Sequence, residues 1–167
     1  MSNSGAITSF ARTTIFCREI EKSLALYRDL LGLAVVEDKT LAGPAIGRMV
    51  GLDTCRLRIV HLRAGERDTS LIGLYNVSEP ALPQSQRPVV GQLHLGQTAI
   101  VLQSSDADVL AGRLADAGYS FLTQPTTYEI KAGGPSGVPG TITEMIFYDP
   151  DGVLISIMGF QPTAAPD

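Results

Sequence analysis

Residues 13–33 read TTIFCREIEKSLALYRDLLGL. A short apolar strand ends at a polar corner, Arg18-Glu19. A helix follows with Ile20, Leu24, Tyr27 and Leu31 on one face, at the three-to-four-residue spacing of a helical period. Gly32 stands where a helix favours a C-terminal glycine. Residues 98–118, TAIVLQSSDADVLAGRLADAG, repeat this order of strand, polar corner, helix and glycine. An offset of about 85 residues is too long for a solenoid repeat, so the reading is a module used twice.

The bulk properties agree with a folded globular chain. The protein has 167 residues, 44% hydrophobic and 18% charged, enough apolar content to build a core. Net charge is −4 and the basic residues are scattered, which argues against a nucleic-acid partner. No apolar run approaches the roughly 20 residues of a membrane span. The N-terminus lacks the basic start and apolar core of a secretory signal. Cys17 and Cys55 show no CxxC spacing and read as free thiols of a reducing compartment, so a cytoplasmic protein is expected.

Outward from the opening stretch, the expected strands are Ser9–Cys17, Leu33–Asp38, Arg56–Leu62 and Leu71–Val77. The helix spans Ile20–Leu31, Gly43-Pro44 marks a turn, and Ala45–Val50 suits one helical turn. Residues 1–7 read as a loose tail. Pro80–Gly96, with three prolines and two glycines, reads as a linker. The second module brings strands at Gln97–Gln103, Tyr119–Leu122, Ile142–Tyr148 and Val153–Met158, with a helix over Ala107–Ala117 capped by Asp106. Gln124–Pro139 reads as a loop, and Asp149-Pro150-Asp151-Gly152 as a tight hairpin turn. The modules are assigned to 8–79 and 97–160, joined by 80–96. The fold class is α+β, βαβββ twice.

Two motifs carry a family resemblance: EKSLALYRD (21–29) with Leu31-Gly32-Leu33, and FYDPDG (147–152). They resemble the vicinal oxygen chelate superfamily, which includes glyoxalase I, bleomycin-resistance proteins, extradiol dioxygenases and methylmalonyl-CoA epimerase. The resemblance implies two modules forming a concave half-barrel around a shared cavity, and a homodimer. In the metal-dependent members it implies four ligands on inward strand positions. Those positions fall here on Arg12, Gly73, Gln97 (or, in the other register, Ala99) and Ser156. Arginine is a permanent cation, glycine has no side chain, and an un-ionised serine is a poor ligand. No metal and no other cofactor is therefore expected. His61 and His94 have no mutual ligand spacing and read as ordinary core or surface histidines.

Polar groups still fall on inward positions. Arg12, on one strand face with Thr14 and Phe16, either anchors an anionic ligand, pairs with a structural carboxylate or snorkels at the strand end. Glu144 is either Arg12's internal partner, a general base, or a solvent-facing carboxylate on an edge strand. Thr14, Tyr75, Gln97, Tyr128 and Ser156 offer hydrogen bonds or stacking to an aromatic or conjugated ligand. Two functions fit. One is a metal-independent enzyme of lyase or isomerase type acting on a small organic anion. The other is a binding or drug-sequestration protein of the bleomycin-resistance kind.

Overall fold

The computed structural model describes residues 7, 9–66, 71–86, 88–89, 91–131 and 138–163. The chain divides into two compact units, Met1–Ser85 and Gln86–Asp167. Each holds one four-stranded mixed sheet, the βαβββ order expected. Of the tail expected at residues 1–7 only Ile7 is described, and residues 132–137 of the expected Gln124–Pro139 loop lie outside the described residues.

In the first unit β1 (Thr13–Phe16) leads to helix α1 (Ile20–Leu24), which continues as a π-helical stretch over Ala25–Leu30. Then come β2 (Ala34–Gly43), helix α2 (Pro44–Met49), β3 (Cys55–Arg63) and β4 (Leu71–Glu79). The sheet order is β1-β4-β3-β2, with β1 parallel to β4 and the other pairs antiparallel. The alternating side chains of β3 explain both faces. Arg58 donates to Asp38 on β2 and to Glu21 on α1, so α1 lies on Arg58's face. Val60 and Leu62 share that face and are fully buried, as are Leu24, Leu26 and Tyr27 of the helix. On the opposite face Cys55, Leu57, Ile59 and Tyr75 form a second cluster, covered by Ile46, Val50 and Leu52 around α2. That cover stops short of His61, which stays partly exposed.

The second unit repeats the pattern with β5 (Ala99–Ser104), α3 (Ala107–Asp116), β6 (Phe121–Ile130), β7 (Gly140–Tyr148) and β8 (Leu154–Pro162). Its order is β5-β8-β7-β6. Asp106 caps α3 by accepting from the Val109 amide at 3.0 Å, as expected. Leu114, Met145, Phe147, Ile155 and Ile157 are buried at about 1% exposure or less and form the core of this unit.

Several boundaries differ from expectation. β1 begins at Thr13, so Arg12 precedes the strand instead of lying in it. β2 runs on to Gly43, because β3 pairs with it as far as Cys55. β6 continues through Gln124–Ile130, part of the expected loop, pairing with β7 as far as Gly140. Pro125 falls inside this strand. β6 is an edge strand, and its register shifts between Thr123 and Thr126, which is where a sheet tolerates proline. Glu144 consequently lies on β7, an interior strand, and not on an edge.

The DPDG turn is held from within. The buried Asp149 side chain accepts from the Asp151 amide at 2.8 Å and the Val153 amide at 2.7 Å. Replacing Asp149 by alanine strands both donors. Asp149→Ala is expected to cost about 1–3 kcal/mol, read as a lower urea midpoint at unchanged slope.

Candidate functional site

One row of residues crosses the first sheet. Thr14 on β1 is in register with Gly73 on β4, Gly73 with His61 on β3, and His61 with Glu37 on β2. Gly73 is the centre of the row. A Cβ built there would stand 3.0 Å from Tyr75 Cε1, and 3.4 Å from both His61 Cδ2 and Thr14 Oγ1. The Tyr75 ring thus leans over a backbone position that has no side chain. From there its hydroxyl reaches His61 Nε2 at 3.3 Å.

His61 is held on its other side as well. Its Nδ1 lies 2.9 Å from Glu37 Oε2. In the neutral ring, one tautomer satisfies both contacts: Nδ1–H donates to the carboxylate and Nε2 accepts from the phenol. Burial lowers the His61 pKa, and the nearby Arg12 guanidinium lowers it further, while Glu37 acts in the opposite sense. Glu37 is itself shifted down, chiefly by a hydrogen bond from Lys39.

Arg12 and Phe16 complete this face. The Arg12 guanidinium carbon stands 5.9 Å from the Tyr75 ring centre, a cation–π distance. Phe16, 54% exposed, meets the same ring edge to face at 5.7 Å. Among the described residues no carboxylate pairs with Arg12. Arg12, Thr14 and Tyr75, three of the expected site residues, are therefore brought together. His61, read from the sequence as an ordinary core or surface histidine, joins them, as does Glu37, which the sequence did not single out. The available signal was parity: His61 continues the Leu57–Ile59 face of β3 past the end of its apolar run.

The second sheet holds a separate group. Glu144 Oε1 accepts from the Ser156 hydroxyl at 2.7 Å, and Oε2 accepts from the Tyr128 hydroxyl at 3.3 Å. Burial, with the Glu144 charge beside it, raises the Tyr128 pKa. Glu144, Ser156 and Tyr128 thus meet as a cluster whose carboxylate is already hydrogen-bonded. Gln97 is not part of it. It lies two residues before β5, its Nε2 donates to the Tyr148 hydroxyl at 2.9 Å, and its Oε1 accepts from the His94 amide at 2.8 Å. β5 opens at Ala99, opposite Leu154.

The His61 shift has a definite sign. A group whose folded pKa lies below its ordinary 6.5 binds fewer protons when folded. Its stabilising effect is complete above 6.5 and is lost as pH falls toward the depressed value. Denaturant melts between neutrality and pH values just above the carboxylate range should show falling stability, and His61→Gln should flatten that slope.

The comparisons with known proteins follow the same outline. A sequence model described as the Glyoxalase/Bleomycin resistance protein/Dioxygenase superfamily matches residues 9–157. No curated protein matches in sequence. Among solved structures, a glyoxalase family protein from Bacillus cereus is similar at 16% identity, with 96% of this chain and 99% of that one covered and a TM-score of 0.77. TnmS3, an antibiotic binding protein from a Streptomyces species, is similar at 18% identity, covering 93% and 98%, with a TM-score of 0.55. The trypanothione-dependent glyoxalase I of Leishmania major is similar at 14% identity, covering 92% and 87%, with a TM-score of 0.58. At these identities the structural likeness speaks to fold, and with the match over residues 9–157 the chain belongs to the Glyoxalase/Bleomycin resistance protein/Dioxygenase superfamily.

Proposed function

We propose that this protein binds a small organic anion of aromatic or conjugated character on the Arg12–Tyr75 face of its first sheet, without the divalent metal of the family's metal-dependent enzymes. The observation that carries the reading is Arg12. Its charged head stands over the Tyr75 ring with no carboxylate partner among the described residues. A guanidinium so placed can hold a carboxylate or enolate bidentately while an adjacent ring packs against the ligand. Thr14 supplies a hydroxyl and Phe16 an exposed ring beside it.

The donor chemistry supports the metal-free part. At Gly73 there is no side chain to ligate, and the Tyr75 ring takes the space one would need. The Ser156 hydroxyl is engaged with Glu144. Arg12 would repel a cation. The fold's use in TnmS3, an antibiotic binding protein, supports binding as the function. A metal-independent lyase or isomerase is the second reading, favoured by one observation: a histidine held between a carboxylate and a phenol on the same face.

Calorimetric titration with benzoate tests the anchor. Arg12→Ala should weaken binding about 10- to 100-fold, the range expected for a charge-assisted hydrogen-bond pair. Arg12→Lys should recover only part of the loss, because an ammonium cannot match the two-pronged geometry. Benzoate affinity indifferent to both substitutions would remove Arg12 from the reading.

A further inference from the structure

The first sheet carries a hydrogen-bonded chain that anion binding alone does not use. Glu37 holds His61 Nδ1 at 2.9 Å, and His61 Nε2 lies 3.3 Å from the Tyr75 hydroxyl. Tyr75 donates along this chain, so its oxygen keeps acceptor capacity. No described residue donates to it. The base is oriented by a third group, the arrangement that positions a proton acceptor for a reacting hydroxyl.

The charges facing His61 make the acceptor conditional. Arg12 beside β1 and Lys39 on β2 oppose an imidazolium, whereas Glu37 on β2 favours one. Tyr75 on β4 faces it as a neutral phenol. An anion paired with Arg12 cancels the larger opposing charge. Arrival of the anion thus raises the proton affinity of the histidine that faces the same site.

We propose that Tyr75, His61 and Glu37 form a proton acceptor coupled to the Arg12 anion site, and that the ligand is a weakly acidic planar hydroxyl compound, a phenol or an enol, bound as its oxyanion. The ligand O–H bond breaks and its proton passes to the Tyr75 oxygen. The original Tyr75 proton passes to His61 Nε2. The ligand oxyanion then rests on Arg12 and the imidazolium on Glu37. No electrons change hands and no proton leaves the complex. Tyr75 is the group that meets the ligand, His61 stores the proton, and Glu37 is a positioning residue. This inference rests on the anion-binding reading above.

Two probes separate the two claims: 4-nitrobenzoate, already an anion, and 4-nitrophenol, whose ionised form is seen directly by its absorbance. Calorimetry in buffers of different ionisation heat counts protons released. About one pH unit below the pKa of 4-nitrophenol, where the free compound is mostly un-ionised, the wild-type protein should bind it as the coloured anion with no net proton release. His61→Gln should bind it about tenfold more weakly, or release about one proton per ligand, while 4-nitrobenzoate affinity stays within about threefold. Tyr75→Phe should likewise lose proton retention with 4-nitrophenol. Glu37→Gln should lower the pH at which proton retention begins, because the charge that favours the imidazolium is gone. A proton released to buffer on nitrophenol binding by the wild type overturns the proposal, with no variant needed. So does a His61→Gln protein that is folded and indistinguishable from wild type with nitrophenol. If 4-nitrobenzoate binding depends on Arg12 and nitrophenol behaves in either of those ways, the relay alone fails. If neither probe binds, the anion site fails and the relay with it.

Discussion

The Tyr75 ring lies across Gly73, and the arrangement of the first sheet's polar face depends on that contact. A glycine in the middle of a strand is ordinarily a weakness, since it costs backbone entropy and packs nothing. Here the missing side chain makes room. The ring fills it, meets Phe16 edge to face, supports Arg12, and delivers its hydroxyl to His61. A Cβ at Gly73 would stand 3.0 Å from the Tyr75 ring, so the ring would have to give by a few tenths of an ångström.

The two units solve the same folding problem and furnish their polar groups differently. In both, a helix covers one face of a four-stranded sheet, with a strand parallel to the last one at the edge. Thr14 is in register with Gly73 in the first, and Val101 with Ser156 in the second. Where the first sheet has a glycine and a ring leaning over it, the second has a buried serine donating a hydrogen bond to Glu144. Among the described residues, the first group leaves the Arg12 guanidinium without a carboxylate partner. The second ties its carboxylate to two hydroxyls. That contrast is why the proposed anion site lies on the first sheet.

The fold was legible in the sequence because its signals are local. Helix periodicity, Asp106 as a cap and the DPDG turn each act within a few residues, and each stands where it was read. Strand ends were less legible, because they depend on how far a partner continues. β2 and β6 both outran their own β-rich segments to match β3 and β7. The site was legible only in part. Arg12, Thr14 and Tyr75 follow from parity and family position. His61 and Glu37 required knowing that β2 sets Glu37 opposite His61, across a register shift between Val35 and Glu37. Gln97 looked like a ligand-facing amide, yet its contacts brace a loop against Tyr148 and His94.

In the proposed site an arginine over a tyrosine stands in place of metal ligands. Elemental analysis by mass spectrometry of protein purified without chelator, after incubation with iron, manganese, nickel and zinc and desalting, tests this most directly. The account predicts far less than one equivalent of any of these metals per chain. One tightly held equivalent, lost when Ser156 or Gln97 is replaced by alanine, would contradict it.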